Sequence, residues 1–211
     1  MEDDAPSDTA LACPAGNPPI GDFADRFDPF SGWTTDSTAG TCSVRSGGVG
    51  VESSVELSAT FRMDGTLGAC ALKSQESYNF RDERAYIHLE PSALQIPDGV
   101  ELFLSISDGE QTAEVTFRDG HFAFDASVSG AGALTPEPSE WSYIRIHQEA
   151  SGYLSADVGR SEVEWDPFLG RYPLDSLELD LCDVRVSFGL RSVGPSPGPA
   201  TVVVLGFNTV E

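Results

Sequence analysis

Short segments in which apolar and polar residues alternate follow one another along this chain, and helical periodicity is almost absent. Residues 55–61, 101–107 and 112–117 each carry an apolar side chain at every second position. Successive side chains of a β-strand point to opposite faces, so this period of two predicts strands that are buried on one face. Asp108-Gly109 and Asp119-Gly120 separate such segments, and Asp-Gly supplies the positive φ angles of tight hairpins. The sequence therefore predicts an all-β, antiparallel fold.

The strand pattern continues to the end of the chain without a linker long enough to divide it. A chain of 211 residues is the size of one large β-sandwich, so we predict two packed antiparallel sheets with about a dozen strands in total. We expect a flexible acidic and Pro-rich leader at residues 1–20 and one jelly-roll β-sandwich domain at residues 21–211. The strand candidates are 41–45, 48–52, 55–62, 69–74, 84–90, 100–107, 112–118, 121–127, 141–149, 153–158, 160–165, 177–181, 184–191 and 201–209.

The charge of the chain excludes one large class of partner. It has 34 acidic and 12 basic residues, a net charge of −22, and Lys73 is its only lysine. A field of this sign repels phosphate backbones, so nucleic acid is not an expected partner. The sequence also predicts no transmembrane segment, because no stretch approaches the ~20 apolar residues of a membrane-spanning helix.

The four cysteines indicate disulfides rather than a metal site. They contain no C-x-x-C pair, and the three histidines lie far from them in the sequence, whereas zinc sites use closely spaced ligands. Four cysteines allow three pairings, and the sequence leaves all three open. We favour Cys42–Cys70, which would join neighbouring first strands, and therefore Cys13–Cys182.

The expected location follows from the disulfides and from the first residues. Disulfides persist in oxidising compartments. Residues 1–8 are acidic and small, the opposite of a basic and apolar signal peptide. We therefore expect an extracellular or cell-surface protein whose signal or lipoprotein leader has been removed.

Four parts of the sequence resemble, in their order, the concanavalin A-like lectin/glucanase jelly roll in its laminin-G-like form, a domain of secreted bacterial proteins. They are an opening F-x(n)-F-D-x(n)-W segment, a strand that ends in serine before a Tyr-Asn-Phe turn, a W-x-x-I-R-I…G-x-L hairpin and a closing strand pair. These lie at residues 23–33, 71–80, 141–154 and 184–207. The resemblance implies a β-sandwich and, by analogy of fold, a role in recognition.

Polar side chains on two strand candidates form the predicted ligand-binding set. Ile87, Leu89, Ile144 and Ile146 occupy the buried positions of these strands, so their neighbours should face outward. Outward residues of this kind would combine stacking, donor and acceptor groups, as a groove for sugar or a polar peptide requires. The predicted set is Tyr86, His88, Glu90, Tyr143, Arg145 and His147.

Two acidic segments suggest other chemistry. Glu162, Glu164 and Asp166 would share one face if residues 160–165 form a strand. Related glycoside hydrolases place their nucleophile and acid/base on one strand, and retaining chemistry needs carboxyl groups about 5 Å apart. Glu178 and Asp180 offer alternating oxygen ligands of the kind that calcium prefers. In a chain with 34 acidic residues, an ordinary solvated acidic surface explains both segments more simply.

The sequence thus favours a secreted or cell-surface recognition module without catalytic residues, and it favours carbohydrate as the ligand. It predicts no cofactor, with calcium as an option, and a polysaccharide or a surface protein as partner. The first alternative is a structural subunit of an appendage, envelope layer or filament, which would self-assemble through exposed strand edges. The second is a glycoside hydrolase that uses Glu162 and Glu164.

Overall fold

In the part of the chain that the structure describes, fourteen strands form two antiparallel seven-stranded sheets, which confirms the predicted all-β sandwich. The structure is a computed structural model that describes residues 13, 16–25, 27, 31–38, 40–47, 54–62, 64, 66–126, 134–195 and 198–209. The first sheet contains, in spatial order, β1 (Trp33–Ser37), β4 (Ala69–Ser74), β13 (Arg185–Ser192), β6 (Val100–Ser107), β7 (Thr112–Arg118), β8 (His121–Ala126) and β9 (Thr135–Pro136). The second contains β12 (Trp165–Pro173), β11 (Tyr153–Gly159), β10 (Tyr143–Glu149), β5 (Arg84–Leu89), β14 (Pro199–Phe207), β3 (Val55–Thr60) and β2 (Thr41–Ser46).

The apolar residues of the alternating pattern meet between the two sheets. Leu104 of β6 and Phe188 of β13 are fully buried with Ile87 of β5 and Val202 of β14 in one apolar cluster. Trp33 lies edge-on to Phe188, with ring centroids 5.0 Å apart and an interplanar angle of 77°. Each large apolar side chain buried in this way contributes about 1.5–3 kcal/mol. The core thus fixes which face of each strand turns outward.

Two predicted strands are wrong, and a third lies outside the described residues. The first is the predicted strand 160–165, whose residues 160–164 form a turn before β12. Only the first residue of β12, Trp165, lies within that prediction. Residues 177–181 are a loop that follows the 3-10 helix Leu174–Ser176, and the Asp180 side chain accepts the Cys182 N–H at 2.9 Å within it. A side chain that bonds the local backbone in this way competes with strand pairing. The candidate at 48–52 falls on residues that are not described.

Both predicted disulfides are present. The sulfur atoms are 2.11 Å apart in Cys13–Cys182 and 2.05 Å apart in Cys42–Cys70. Ile20, the last residue of the predicted leader, is fully buried, and its N–H donates to the Asn79 carbonyl at 2.9 Å. Residues 1–12 of the predicted leader lie outside the described part of the chain.

Helical structure in the described ranges is limited to the 3-10 helices Ile20–Asp22, Pro91–Ala93 and Leu174–Ser176. None of them has the length or apolar character that crossing a bilayer requires.

Gly189 offers a direct test of the packing between β4 and β13. A Cβ atom at this position would lie 2.4 Å from the Cys70 carbonyl oxygen and 2.6 Å from the Ala71 Cα. We expect Gly189→Ala to lower the free energy of unfolding by about 1–3 kcal/mol, because the backbone of β4 would have to move. Guanidinium denaturation under non-reducing conditions measures the change.

Gly170→Ala is the matched control, since its Cβ would meet Phe124 at an ordinary 3.6 Å. This variant should keep its stability or gain about 0.5 kcal/mol. Equal stability of the two variants would contradict the close approach at Gly189.

Candidate ligand-binding groove

A row of small side chains crosses the outer face of the first sheet, the face turned away from the second sheet. Ala71, Gly189, Phe103, Thr116 and Ala123 are successive partners across β4, β13, β6, β7 and β8. Four of these residues have small side chains or none, so the surface is low along the row. Thr116 and Ala123 line a depression at one end of the row, and we call the surface along the whole row the groove.

Two of the depressions that border the groove differ in chemistry. The polar depression has a volume of about 360 Å³, and its lining includes four carboxylates and two guanidinium groups. The apolar depression, of about 540 Å³, lies toward β4. The polar lining is Glu101, Glu114, Thr116, Arg118, Asp119, His121, Ala123, Asp125, Leu134 and Arg191. The apolar lining is Thr38, Leu67, Gly68, Ala69, Glu101, Arg191, Ser192 and Val193.

Arg191 joins three strands of the groove through its guanidinium group. Its Nη1 and Nη2 donate to the two carboxylate oxygens of Glu114 at 2.8 and 2.6 Å, and its Nε donates to Glu101. The guanidinium carbon lies 5.1 Å from the centre of the Phe103 ring, which forms the floor beneath it. We call Arg191, Glu101 and Glu114 together the Arg191 bridge. Burial disfavours the charge of Arg191, but the two glutamates outweigh this effect and raise the pKa of the guanidinium.

Asp125 faces Glu114 directly across β7 and β8. Burial, followed by the negative charge of Glu114, raises the pKa of Asp125, against a smaller opposing effect of the Ala126 backbone N–H. Its Oδ1 atom is buried and has no hydrogen-bond partner among the described residues. Asp125 therefore brings an acceptor, or a donor when protonated, to the wall of the polar depression.

Exposed polar groups form the rim of the polar depression at the β7–β8 turn. Arg118 Nε lies 3.5 Å from Asp119 Oδ2, and both side chains are largely exposed. The ring of His121 contacts the Asp119 carbonyl oxygen through Nδ1 at 2.9 Å. An exposed pair of this kind is weak, so these groups can turn toward a ligand at little energetic cost.

Most of the predicted ligand-binding set lies together, but on the outer face of the second sheet. His88 pairs with Tyr143, and Tyr86 pairs with Arg145, across β5 and β10. The rings of His88 and Tyr143 stack with centroids 4.3 Å apart. Glu90 lies beyond the end of β5, where its carboxylate accepts the Ser92 N–H and hydroxyl and caps the 3-10 helix Pro91–Ala93.

The predicted exposure of this set is wrong for its two tyrosines. Tyr86 and Tyr143 are only 2% and 3% exposed, although neither belongs to the cluster between the sheets. Trp165 covers them, with its ring about 6 Å from each tyrosine ring and 3.9 Å from the Arg145 guanidinium carbon. The turn at residues 160–164 joins β11 to β12 directly before Trp165, and Gly159 permits it, since a Cβ there would lie 2.5 Å from the Glu164 carbonyl oxygen.

Beneath this cover, Arg145 and His147 converge on Asp157 of β11. Arg145 donates to Asp157 Oδ2 through Nε at 3.1 Å and also through Nη2, and His147 Nε2 lies 3.0 Å from the same oxygen. Burial alone would raise the pKa of Asp157, but the contacts with His147 and Arg145 outweigh burial and hold that pKa below its ordinary value. The groups of this cluster bind one another, so the cluster stabilises the sheet.

The two acidic segments do not form the arrangements that would have supported their chemistry. Glu162 and Glu164 lie in the turn before β12, and only Asp166 belongs to the strand, so the three carboxylates do not alternate along one strand face. Glu178 and Asp180 lie in a loop, where Glu178 accepts from the Gln111 side chain at 3.4 Å. Across the described ranges, no group of three or more His, Cys, Asp or Glu side chains is placed to hold a metal ion.

Comparison with solved structures identifies the architecture. A GH16 protein from the mixed-linkage glucan locus of Bacteroides ovatus, in complex with a product, matches 88% of this chain and 98% of its own with a TM-score of 0.60 and 10% identity. The fold is the concanavalin A-like jelly roll. The same fold is shared by a pseudo β-1,3-glucanase and immunostimulatory antigen of Mycobacterium tuberculosis (TM-score 0.56, 14% identity, 88% of this chain and 96% of that one). It is also shared by arcelin-5, a lectin-like defence protein of Phaseolus vulgaris (TM-score 0.51, 10% identity, 88% and 95%).

No protein-family model matches the sequence, and no curated protein is detectably similar to it. Concanavalin A-like architecture therefore rests on structural similarity, in agreement with the resemblance in the sequence. At identities near 10%, the similarity establishes the fold and leaves the ligand to the residues of the groove.

The groove residues were not singled out from the sequence, although a signal for them exists. Glu101, Glu114 and Asp125 occupy polar positions within predicted strands whose alternate residues are apolar, and Arg191 ends another. The alternation therefore turns all four outward. What the sequence lacks is the order of the strands, since β13 lies beside β6 only in the folded protein.

The pH dependence of stability tests the cluster around Asp157. Because its folded pKa is lowered, its stabilising contribution is complete above the unfolded pKa of about 3.9 and is lost as the pH falls through the folded value. We expect Asp157→Asn to lower stability by about 3 kcal/mol at pH 7, since Arg145 would lose its buried partner. This deficit should shrink below about pH 4. Urea denaturation between pH 7 and pH 2.5 measures both effects.

Asp119→Asn is the control, because the Arg118–Asp119 pair is largely exposed, and it should leave stability unchanged. A deficit for Asp157→Asn that is the same at every pH would rule out the ionic origin of the stabilisation.

Proposed function

We propose that the protein is a non-catalytic carbohydrate-recognition domain that binds an uncharged polysaccharide in the groove. The observation that carries this proposal is the polar depression, whose acidic, guanidinium, imidazole and hydroxyl groups surround a floor of small side chains. Such a mixture of donors and acceptors suits sugar hydroxyl groups. The depression also falls within the 300–1,000 Å³ range of typical ligand pockets.

The charge of the groove supports a neutral ligand. Four carboxylates line the polar depression against two guanidinium groups, in a protein with a net charge of −22. An acidic polysaccharide would meet repulsion at long range and in the groove. Uncharged β-glucans avoid this repulsion, and one structural neighbour is a mixed-linkage glucan protein in complex with a product.

The hydrogen bonds of Glu101 and Glu114 with Arg191 support binding without hydrolysis. Both oxygens of Glu114 accept hydrogen bonds from Arg191, and Glu101 is paired with the same guanidinium. A nucleophilic carboxylate must be free to attack the sugar. In this groove the two glutamates that lie closest to Arg191 serve to hold it.

Glycoside hydrolysis is the second candidate function, on different residues from those that the sequence suggested. Glu114 and Asp125 face each other on neighbouring strands, which brings their Cβ atoms within about 5 Å. Asp125 has a raised pKa, as a general acid requires, and Glu114 would be the second carboxylate of the pair. Release of reducing ends from a β-glucan by the native protein, abolished by Asp125→Asn, would establish this function in place of the first.

The two disulfides support an extracellular or cell-surface location, where polysaccharides are encountered. A test for calcium belongs with the binding experiments, because oxygen-rich sites bind this ion.

Ala123→Lys tests the groove as the binding site. The lysine would fill the floor between Thr116 and the rim, and we expect affinity for mixed-linkage β-glucan to fall about tenfold or more, or 1.4 kcal/mol. Affinity gel electrophoresis with and without calcium gives the dissociation constants. A reducing-sugar assay on the same samples should detect no hydrolysis.

Ser43→Lys is the matched control, since it adds the same side chain to β2 at the far edge of the second sheet. It should bind like the unmodified protein. Failure of the unmodified protein to bind any neutral polysaccharide would refute the proposed function. Undiminished binding by Ala123→Lys would show that the binding site is not in the groove.

A further inference from the structure

The Arg191 bridge stands between the two depressions of the groove. Arg191 and Glu101 line both the polar and the apolar depression, whereas Glu114 lines only the polar one. The guanidinium group starts from β13, passes over Phe103 and reaches Glu114 on β7. The groove is therefore interrupted at its centre by a charged side chain that lies above its floor.

The bridge is built to stay in place. Arg191 makes a two-pronged contact with Glu114 and a further contact with Glu101, and bidentate pairs of this kind are the stronger hydrogen-bonded ion pairs. The side chain of Glu101 is only 8% exposed. Moving Arg191 aside would leave this carboxylate buried without its counter-ion, which is costly. An uncharged ligand offers no charge to replace the guanidinium.

Toward β4, the chemistry beyond the bridge is unsuited to a sugar. Leu67 and Val193 are 67% and 36% exposed in the apolar depression. The Ser192 hydroxyl there accepts the Gly68 N–H at 2.8 Å. A saccharide that continued past Arg191 would therefore exchange a polar surface for an apolar one with few available hydrogen-bonding groups.

We infer that Arg191 is a specificity-determining residue: it closes the polar depression on the side of β13, so the groove takes the end of a glycan chain and excludes internal segments. This inference rests on the proposed function and narrows it to a short terminal epitope. Affinity then depends on the first few sugar units, and further units add nothing because they leave the groove.

The dependence of affinity on chain length is the direct test. Mixed-linkage β-gluco-oligosaccharides of two to six units, each with a free or a reduced end, are titrated into the full chain by calorimetry. We expect the trimer and the hexamer to bind with dissociation constants within about twofold of each other, since no net hydrogen bond is gained. An extended cleft would instead strengthen binding about two- to tenfold for each unit that gains a hydrogen bond.

Two variants connect the length dependence to the bridge. Arg191→Lys keeps the charge but cannot bind Glu114 in a two-pronged manner, and Glu114→Gln removes the charge of the acceptor without changing its shape. In either variant the hexamer should bind more tightly than the trimer. Arg185→Lys, an exposed position on the same strand, is the control and should leave the affinities equal.

The outcomes separate the two claims. A steady gain in affinity with length in the unmodified protein would overturn the inference and leave the proposed function intact. Equal affinities for trimer and hexamer in both folded bridge variants would show that Arg191 does not limit the site. Absence of binding at every length would overturn the proposed function and, with it, this inference. If Arg191→Lys fails to fold, the length dependence of Glu114→Gln and of the unmodified protein still tests whether the bridge limits the site.

Discussion

Apolar packing between the two sheets is the interaction on which the rest of the molecule depends. Leu104, Phe188, Ile87 and Val202 meet there from both layers, and their burial fixes the orientation of each strand. A shift of one residue in any strand would exchange its inner and outer faces. The positions of Arg191, Glu114 and Asp125 on the outer face are thus a consequence of which alternate residues are apolar.

The outer faces of the two sheets carry similar polar residues, but these residues are covered on one face and accessible on the other. On the second sheet, Trp165 covers Tyr86 and Tyr143, and Arg145 and His147 contact Asp157, so most polar groups of this face bind one another. On the first sheet, small side chains keep the floor low, and the polar groups around it remain accessible in a depression. The difference arises from one side chain, because the Trp165 ring lies over one face and the described part of the chain has no such cover over the polar depression.

Arg191 shows how one buried pairing can shape a binding surface. The guanidinium group is held by two glutamates from β6 and β7, and this arrangement pairs both carboxylates with one positive charge while it divides the groove. A charge that is fixed in this way contributes to selectivity more than to affinity. It also leaves Asp125, which faces Glu114, as the carboxylate of the polar depression with a raised pKa.

The sequence by itself determined the fold class, the inward rows of apolar residues, most of the strands and the outward direction of Glu101, Glu114, Asp125 and Arg191, because alternation in a strand is a local property. It also favoured the correct disulfides. Only the tertiary structure decided which outward residues meet. The pairing of β13 with β6, and the turn that carries Trp165 over the second sheet, join residues that are distant in the sequence. Contacts of that kind are set by the packing of the whole sandwich and leave no local pattern, which is why the groove emerged where the sequence had not predicted it.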